Sequence, residues 1–137
     1  MLLDTLPEPD IVLIMHRPMA QAFRQCAEHV LGGHRTMLCF DIDAINDVET
    51  EAQLLLETLT ELPNERLLLL NDLYGATPYR VAHEVKNHLS ALEKQAFLVT
   101  GVSVPMVLKA LTDHAGEDFE AYVQAIARTS LRAAIIE

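Results

Sequence analysis

Four consecutive leucines at residues 67–70 restrict the fold of this chain more than any other stretch. The run shows no alternation of apolar and polar residues, which is typical of a strand buried on both faces within a parallel sheet. Three further short apolar runs, at residues 11–15, 36–40 and 96–100, also predict strands. Each run is followed by apolar residues at helical spacing. This alternation predicts an α/β fold, with a three-layer α/β/α open sheet of four parallel strands.

Polar residues and prolines mark the expected starts of the helices. Asn46, with Glu49 three residues later, predicts a capping box at the start of the second helix. Thr77 is expected to cap the third helix with its side chain. Pro78 fits the first position of that helix, because proline lacks the N–H that the first turn leaves unbonded. Asp118 is the expected cap of the last helix.

The length and composition suit one domain with a hydrophobic core. The chain has 137 residues and half of them are hydrophobic, which argues against disorder. We therefore expect a single domain over residues 1–137, in which residues 1–9 form a polar lead-in that contains two prolines. Residues 131–136 would either continue the last helix or form a short extra C-terminal strand.

The charge and the cysteines narrow the classes of function. The net charge of −10 repels nucleic acid backbones and anionic lipid, so we expect no nucleic acid partner. The negative charge either favours a basic protein partner or serves solubility alone. Cys26 and Cys39 lack CxxC spacing and fit free thiols in a reducing compartment. No N-terminal targeting signal and no apolar run long enough for membrane insertion is visible, so we expect a cytoplasmic protein.

Chemically useful residues follow three of the predicted strands. His16 ends the first strand, Asp72 follows the third, and the turn at residues 101–103 follows the fourth. Ligands of open α/β sheets bind outside the carboxyl ends of the strands, where the connections diverge. For His16 and Asp72 to meet there, the first strand must lie beside the third. The hypothesis therefore predicts the strand order 2-1-3-4.

A histidine paired with a carboxylate is suited to carry a phosphoryl group. One ring nitrogen of His16 would be the nucleophile, while Asp72 would hold the proton on the other and stabilise the cation that forms. Phosphoryl transfer needs mainly positioning and donors for the phosphate oxygens. The starts of the first and third helices offer free N–H groups. Gly75 and Ala76 are small enough for backbone donors to approach, and Thr77 adds a hydroxyl.

Ordinary structural roles remain open for each of these residues. A histidine after a strand is often a loop residue, and an aspartate there often serves a turn or cap. A hydrolase or metal enzyme is disfavoured because the chain lacks a nucleophilic serine elbow. His83 and His88 are five residues apart, not the four of a helical metal site, so structural or solvent-facing roles are favoured for both.

Three motifs, in the expected order, resemble one family. The segment Asp-Leu-Tyr-Gly-Ala-Thr-Pro at residues 72–78 closely resembles the Asp-Leu-Phe-Gly-Gly-Ser-Pro motif of mannose-type IIA proteins of the bacterial sugar phosphotransferase system. The strand that ends at His16 resembles that family's phosphorylated-histidine strand. Residues 99–106 are similar to its Thr-Gly-Val-Asn-Leu-Pro-Met segment.

The resemblance implies a phosphotransferase component, a phosphohistidine carrier. It would accept a phosphoryl group on His16 from the phosphocarrier protein HPr and pass it to an EIIB component for sugar uptake, with Asp72 orienting the ring. A regulatory phosphoprotein that signals through His16 to a protein target, without transporting sugar, remains an alternative. The resemblance implies no metal or organic cofactor and a homodimer, in some members with an exchanged C-terminal strand. The residues assigned to phosphate binding are Arg17, Gly75, Ala76, Thr77 and Ser103.

Several positions depart from the family pattern. Arg17 and Pro18 stand where a glycine usually follows the histidine, and Arg17 would either crowd the docking face or bind phosphate. Ala76 replaces the second glycine of the motif, a mild change if this position needs no positive φ. Thr77 replaces serine, and Ser103 replaces asparagine, which removes an amide donor.

Overall fold

Strands and helices alternate along the chain as the sequence predicts. The computed structural model describes residues 6–33, 35–129 and 135–136. The strands are β1 (Asp10–His16), β2 (Met37–Ile42), β3 (Arg66–Leu70) and β4 (Gln95–Val99). The helices are α1 (Met19–Leu31), α2 (Val48–Leu59), α3 (Thr77–Ala91), α4 (Val104–Thr112) and α5 (Phe119–Arg128). The prediction for residues 131–136 falls largely outside the described residues.

The four strands form one parallel sheet in the order β2-β1-β3-β4, which confirms the predicted order. Leu13 of β1 pairs with Leu70, the last residue of β3. Strand β1 therefore continues to His16 after β3 has ended. As a result, the residues that follow β3 pass beside the carboxyl end of β1, where His16 lies.

The sheet is covered on both faces, which explains why its central strands lack alternation. All four leucines at residues 67–70 are fully buried, and so is every residue from 11 to 15. Fully burying such a side chain contributes roughly 1.5–3 kcal/mol. One set of strand side chains packs against α1, α4 and α5: Ile11, Leu13, Met15, Leu68 and Leu70. The other set packs against α2 and α3: Val12, Ile14, Leu67 and Leu69.

The start of α2 differs from the prediction by one residue. Its N-cap is Asp47, whose Oδ2 accepts hydrogen bonds from the backbone N of Thr50 at 3.0 Å and from its hydroxyl at 2.8 Å. The side chain of Asn46 instead donates to Glu51 at 2.7 Å, so the capping box of Asn46 and Glu49 was wrong. A charged carboxylate with two local donors is the stronger cap at a helix N-terminus. The predicted cap of α5 is confirmed, because Asp118 accepts from Ala121 N at 3.0 Å.

The end of the lead-in is attached to the amino edge of the sheet. Glu8 forms an ion pair with Arg35 at 3.0 Å, and its Oε1 accepts a hydrogen bond from Ala115 N at 3.0 Å. Burial alone would raise the pKa of Glu8, but the hydrogen bonds from Ala115 and His114 and the charge of Arg35 lower it on balance. The charged form of Glu8 is therefore stabilised by folding.

Among the described residues, no helix is both long enough and apolar enough to cross a membrane.

We expect Glu8→Gln to lower the free energy of unfolding near neutral pH and to have little effect in acid. A carboxyl group whose pKa is depressed by folding contributes stability above its unfolded pKa, and that contribution is lost as the pH falls through its folded pKa. Urea denaturation of both proteins at neutral pH and at about pH 2, far enough below the ordinary carboxyl range to pass a depressed pKa as well, measures this. Glu57→Gln, at an exposed position of α2, is the matched control. Equal losses at both pH values would contradict this role of the charge.

Candidate functional site

His16 and Asp72, which are 56 positions apart, are in contact at the carboxyl edge of the sheet. Oδ2 of Asp72 accepts a hydrogen bond from the backbone N of His16 at 3.2 Å and lies 3.1 Å from its ring Nδ1. The Asp72 side chain is 13% exposed and that of His16 is 28% exposed. The carboxylate is thus largely shielded from water, while the ring keeps an accessible edge. Both side chains lie where the adjacency of β1 and β3 predicts them.

This contact determines which ring nitrogen can react. A neutral imidazole has one N–H and one bare nitrogen. Because two acceptors facing each other at 3.1 Å would repel, the proton belongs on Nδ1, where it is donated to Asp72. The bare lone pair is then on Nε2. If Nε2 forms a bond to an electrophile, the ring becomes a cation, and the adjacent carboxylate stabilises it.

Behind this pair lies Asn71, to which the sequence interpretation assigned no role. It is completely buried. Among the described residues, no other amide or charged side chain lies in the core. Its Nδ2 donates to Ile14 O at 2.9 Å. Its Oδ1 accepts from Leu73 N at 3.2 Å and from the Thr100 hydroxyl at 2.7 Å. A polar residue directly after four buried leucines was the signal available in the sequence.

The segment between Asp72 and α3 accommodates the departures from the family motif. Gly75 has a positive φ of 87°, a conformation that glycine adopts without strain. Ala76 is extended, with φ of −83°, so the alanine needs no positive φ. The capping role predicted for Thr77 was wrong, because the N-cap of α3 is Ala76. The Thr77 hydroxyl instead donates to Ala44 O at 2.8 Å and so links this segment to the loop after β2.

Arg17 extends toward the carboxyl end of β2. Its Nε donates to Asp43 at 3.0 Å, and one terminal nitrogen lies 3.4 Å from Asp41 O. The Arg17 side chain is more than half exposed, and an exposed ion pair of this kind is weak and easily exchanged. Its predicted role in phosphate binding stays a prediction.

The helix starts near the site are not equally available for an anion. The N–H of Ala20, near the start of α1, donates to the Asp41 carboxylate at 2.8 Å, so one expected donor is already engaged by an acid. Ser103 is the N-cap of α4, and its backbone N–H donates to Met106 Sδ at 3.4 Å. Val102 N donates to Asn71 O at 3.1 Å, which connects the turn before Ser103 with the loop that carries Asp72.

Exposed apolar side chains lie next in sequence to the residues that build the site. Leu73 and Tyr74 directly follow Asp72, and both are exposed, Tyr74 by 71%. Ile45 is 95% exposed and follows Ala44, whose carbonyl accepts from Thr77. Exposed apolar residues close to a reactive group favour contact with another protein.

In the described part of the chain, no group of three or more His, Cys, Asp or Glu side chains is arranged to hold a metal ion.

The fold and the site together define a class of protein. It is an open α/β protein in which a histidine and an aspartate are in contact at the point where the connections of β1 and β3 diverge. The family model described as the PTS system fructose IIA component, EIIA-man, matches residues 10–127. The chain belongs to this family of the sugar phosphotransferase system, which gives it a phosphotransferase role in coarse terms.

Solved structures of similar fold agree with this assignment. The mannose/sorbose-specific IIA subunit from Enterococcus faecalis aligns with a TM-score of 0.77 at 22% identity, over 96% of this chain and 98% of that one. The IIA protein associated with the fucose utilization operon of Streptococcus pneumoniae aligns with a TM-score of 0.71 at 20% identity. The alignment covers 92% of this chain and 93% of that one. At these identities the similarity supports the fold. No curated protein matches the sequence.

We expect Asp72→Asn to reduce the fraction of His16 rings that carry the proton on Nδ1, because the charged acceptor is lost. Nitrogen-15 NMR of the imidazole measures this fraction directly. Asp43→Asn, which removes a carboxylate at the same edge that pairs with Arg17, should leave the His16 tautomer unchanged. An unaltered tautomer in the Asp72 variant would show that another group orients the ring.

Proposed function

We propose that this protein is a phosphocarrier that accepts a phosphoryl group on His16 from phosphorylated HPr and passes it to an EIIB component for sugar uptake. The observation that carries the proposal is the contact of Asp72 with both the backbone N–H and the ring Nδ1 of His16. The proposal includes a homodimer and a cytoplasmic location, as the family resemblance implies.

The transfer balances without a metal or an organic cofactor. The Nε2 lone pair of His16 attacks the phosphorus of the donor phosphohistidine, and a new N–P bond forms. The N–P bond of the donor breaks, and its electron pair returns to the donor imidazole. His16 becomes a phosphorylated cation that remains hydrogen-bonded to Asp72 through Nδ1–H. Transfer to the next carrier reverses these steps, with the acceptor nucleophile attacking the same phosphorus.

Backbone groups beside the ring would hold the phosphoryl oxygens. The extended conformation of Ala76 and the positive φ of Gly75 shape the segment that enters α3. The start of a helix favours an anion through its unbonded N–H groups and its dipole. Thr77, Ser103 and the exchangeable Arg17 complete the proposed set of phosphate-binding residues. The Thr77 hydroxyl would have to release the Ala44 carbonyl in order to donate to a phosphoryl oxygen.

The surroundings of the ring suit a protein as phosphoryl donor. Tyr74, two residues after Asp72, and Ile45, in the loop after β2, offer exposed apolar area, and the chain carries a net charge of −10. A partner with a basic face and apolar contacts would be attracted at long range and packed at short range. These features support HPr and EIIB, which are proteins, as the partners on either side of the transfer.

A regulatory role remains the alternative. A sigma-54 interaction domain protein from Enterococcus faecalis shares the fold with a TM-score of 0.69 at 21% identity, over 94% of this chain and 100% of that one. In this case the phosphate on His16 would signal to a protein target. Failure of the phosphorylated protein to transfer its phosphate to any EIIB partner would favour this role.

We expect the protein to become labelled when it is incubated with phosphoenolpyruvate, enzyme I and HPr, and His16→Ala to abolish the label. The label should be acid-labile, as phosphohistidine is. His114→Ala is the matched control, because His114 contacts Glu8 at the amino edge of the sheet. An unlabelled wild-type protein, or a labelled His16 variant, would refute the proposal.

We expect Arg17→Gln to slow phosphorylation by roughly three- to tenfold, because a cation next in sequence to His16 is lost as a charge-assisted donor to the phosphoryl group. Initial labelling rates measure the effect. Arg128→Gln, at the end of α5, controls for the change in net charge. Faster labelling of the Arg17 variant would show instead that this side chain obstructs docking.

A further inference from the structure

The buried Asn71 side chain connects the reactive pair to the end of β4. We propose that Asn71 and Thr100 are positioning residues that set the direction of the Asp72 carboxylate and thereby the tautomer of His16. The expected effect of these two residues on phosphoryl transfer rests on the proposed function. Their expected effect on the His16 tautomer does not, because the tautomer can be measured without phosphate. In the part of the chain that the structure describes, neither residue hydrogen-bonds to the ring, so neither is assigned a catalytic role.

The orientation of the Asn71 amide follows from its partners. Leu73 N is a donor only, so the atom 3.2 Å away must be the amide oxygen. Ile14 O is an acceptor only, so the atom 2.9 Å away must be the amide nitrogen. With both ends fixed, the Thr100 hydroxyl at 2.7 Å donates to the amide oxygen. The alternative orientation would break the bonds to Leu73 N and Ile14 O inside a fully buried site.

The amide holds the backbone on both sides of Asp72. Its oxygen bonds the N–H of Leu73, so the Asn71 side chain spans Asp72 in a tight turn. Its nitrogen bonds the Ile14 carbonyl, two residues before His16, so the turn is attached to β1. The same nitrogen lies 3.5 Å from Oδ1 of Asp72, the oxygen that does not face His16. The carboxylate is therefore held between β1 and the amide.

The backbone of Asn71 joins the same turn to β4. Its N–H donates to Val99 O at 2.9 Å, and its carbonyl accepts from Val102 N at 3.1 Å. Thr100 lies between these two partners and contributes the shortest of the bonds to the amide. The position of the carboxylate thus depends on β4 as well as on β1 and β3. Within the described residues, the polar contacts from Thr100 run through Asn71 and Asp72 to His16.

Thr100 offers the cleaner test because Asn71 is completely buried and its replacement endangers folding. Thr100→Val keeps the shape and removes the hydroxyl, whereas Thr100→Ser keeps the hydroxyl. Thr112→Val is a matched control, since the Thr112 hydroxyl donates to Leu108 O within α4 at 2.9 Å. Urea denaturation establishes that each variant is folded under the conditions of measurement.

In Thr100→Val we expect a smaller fraction of Nδ1-protonated His16 by nitrogen-15 NMR and a phosphorylation rate lowered by roughly two- to tenfold, the effect of one hydrogen bond. Thr100→Ser should restore both quantities, and Thr112→Val should change neither. A ring spectrum and rate equal to wild type in the valine variant would overturn the proposal. A slower rate with an unchanged tautomer would also overturn it, because the effect would then bypass Asp72.

The two proposals fail in different ways. If the wild-type protein takes no phosphate from HPr, the proposed function fails, while the tautomer of the Thr100 variants still tests the positioning role. If the protein is phosphorylated on His16 but the valine variant keeps the wild-type tautomer, only the positioning role fails.

Discussion

The bond between Asp72 and His16 is the interaction on which the site depends. One carboxylate oxygen receives the backbone N–H of His16 and faces its ring Nδ1, so strand and side chain are held by the same atom. The backbone N–H remains a donor whatever the protonation of the ring, so in the proposed transfer it would keep the carboxylate in place. The ring contact leaves Nε2 as the bare nitrogen. In the proposed function, a flexible imidazole thus becomes an oriented nucleophile.

The sheet provides this contact through the order and the lengths of its strands. Strand β1 lies between β2 and β3, and it extends to His16 after β3 has ended at Leu70. The chain leaving β3 must therefore pass the end of β1. It does so through a fully buried asparagine, which satisfies its amide with Ile14, Leu73 and Thr100. Burial of an unpaired amide would be costly, so this network allows one arrangement of the turn.

The sequence predicted the parts of the structure that depend on long patterns. Four unbroken leucines and repeated strand–helix alternation were sufficient for the buried sheet, and the pairing of His16 with Asp72 required the order that is found. Local bonds were less predictable. Asp47 rather than Asn46 caps α2, and Thr77 bonds Ala44 rather than its own helix. Such choices depend on neighbours that are distant in sequence, as does the role of Asn71, whose partners come from three strand ends.

The most direct test of the account is the position of the phosphate on His16. In this test the protein is incubated with phosphoenolpyruvate, enzyme I and HPr, and phosphorus–nitrogen couplings in its NMR spectrum identify the ring nitrogen that bears the phosphorus. Because Asp72 holds the proton on Nδ1, the account predicts phosphate on Nε2. Phosphate on Nδ1 would contradict it, since that nitrogen would have to leave the carboxylate in order to react.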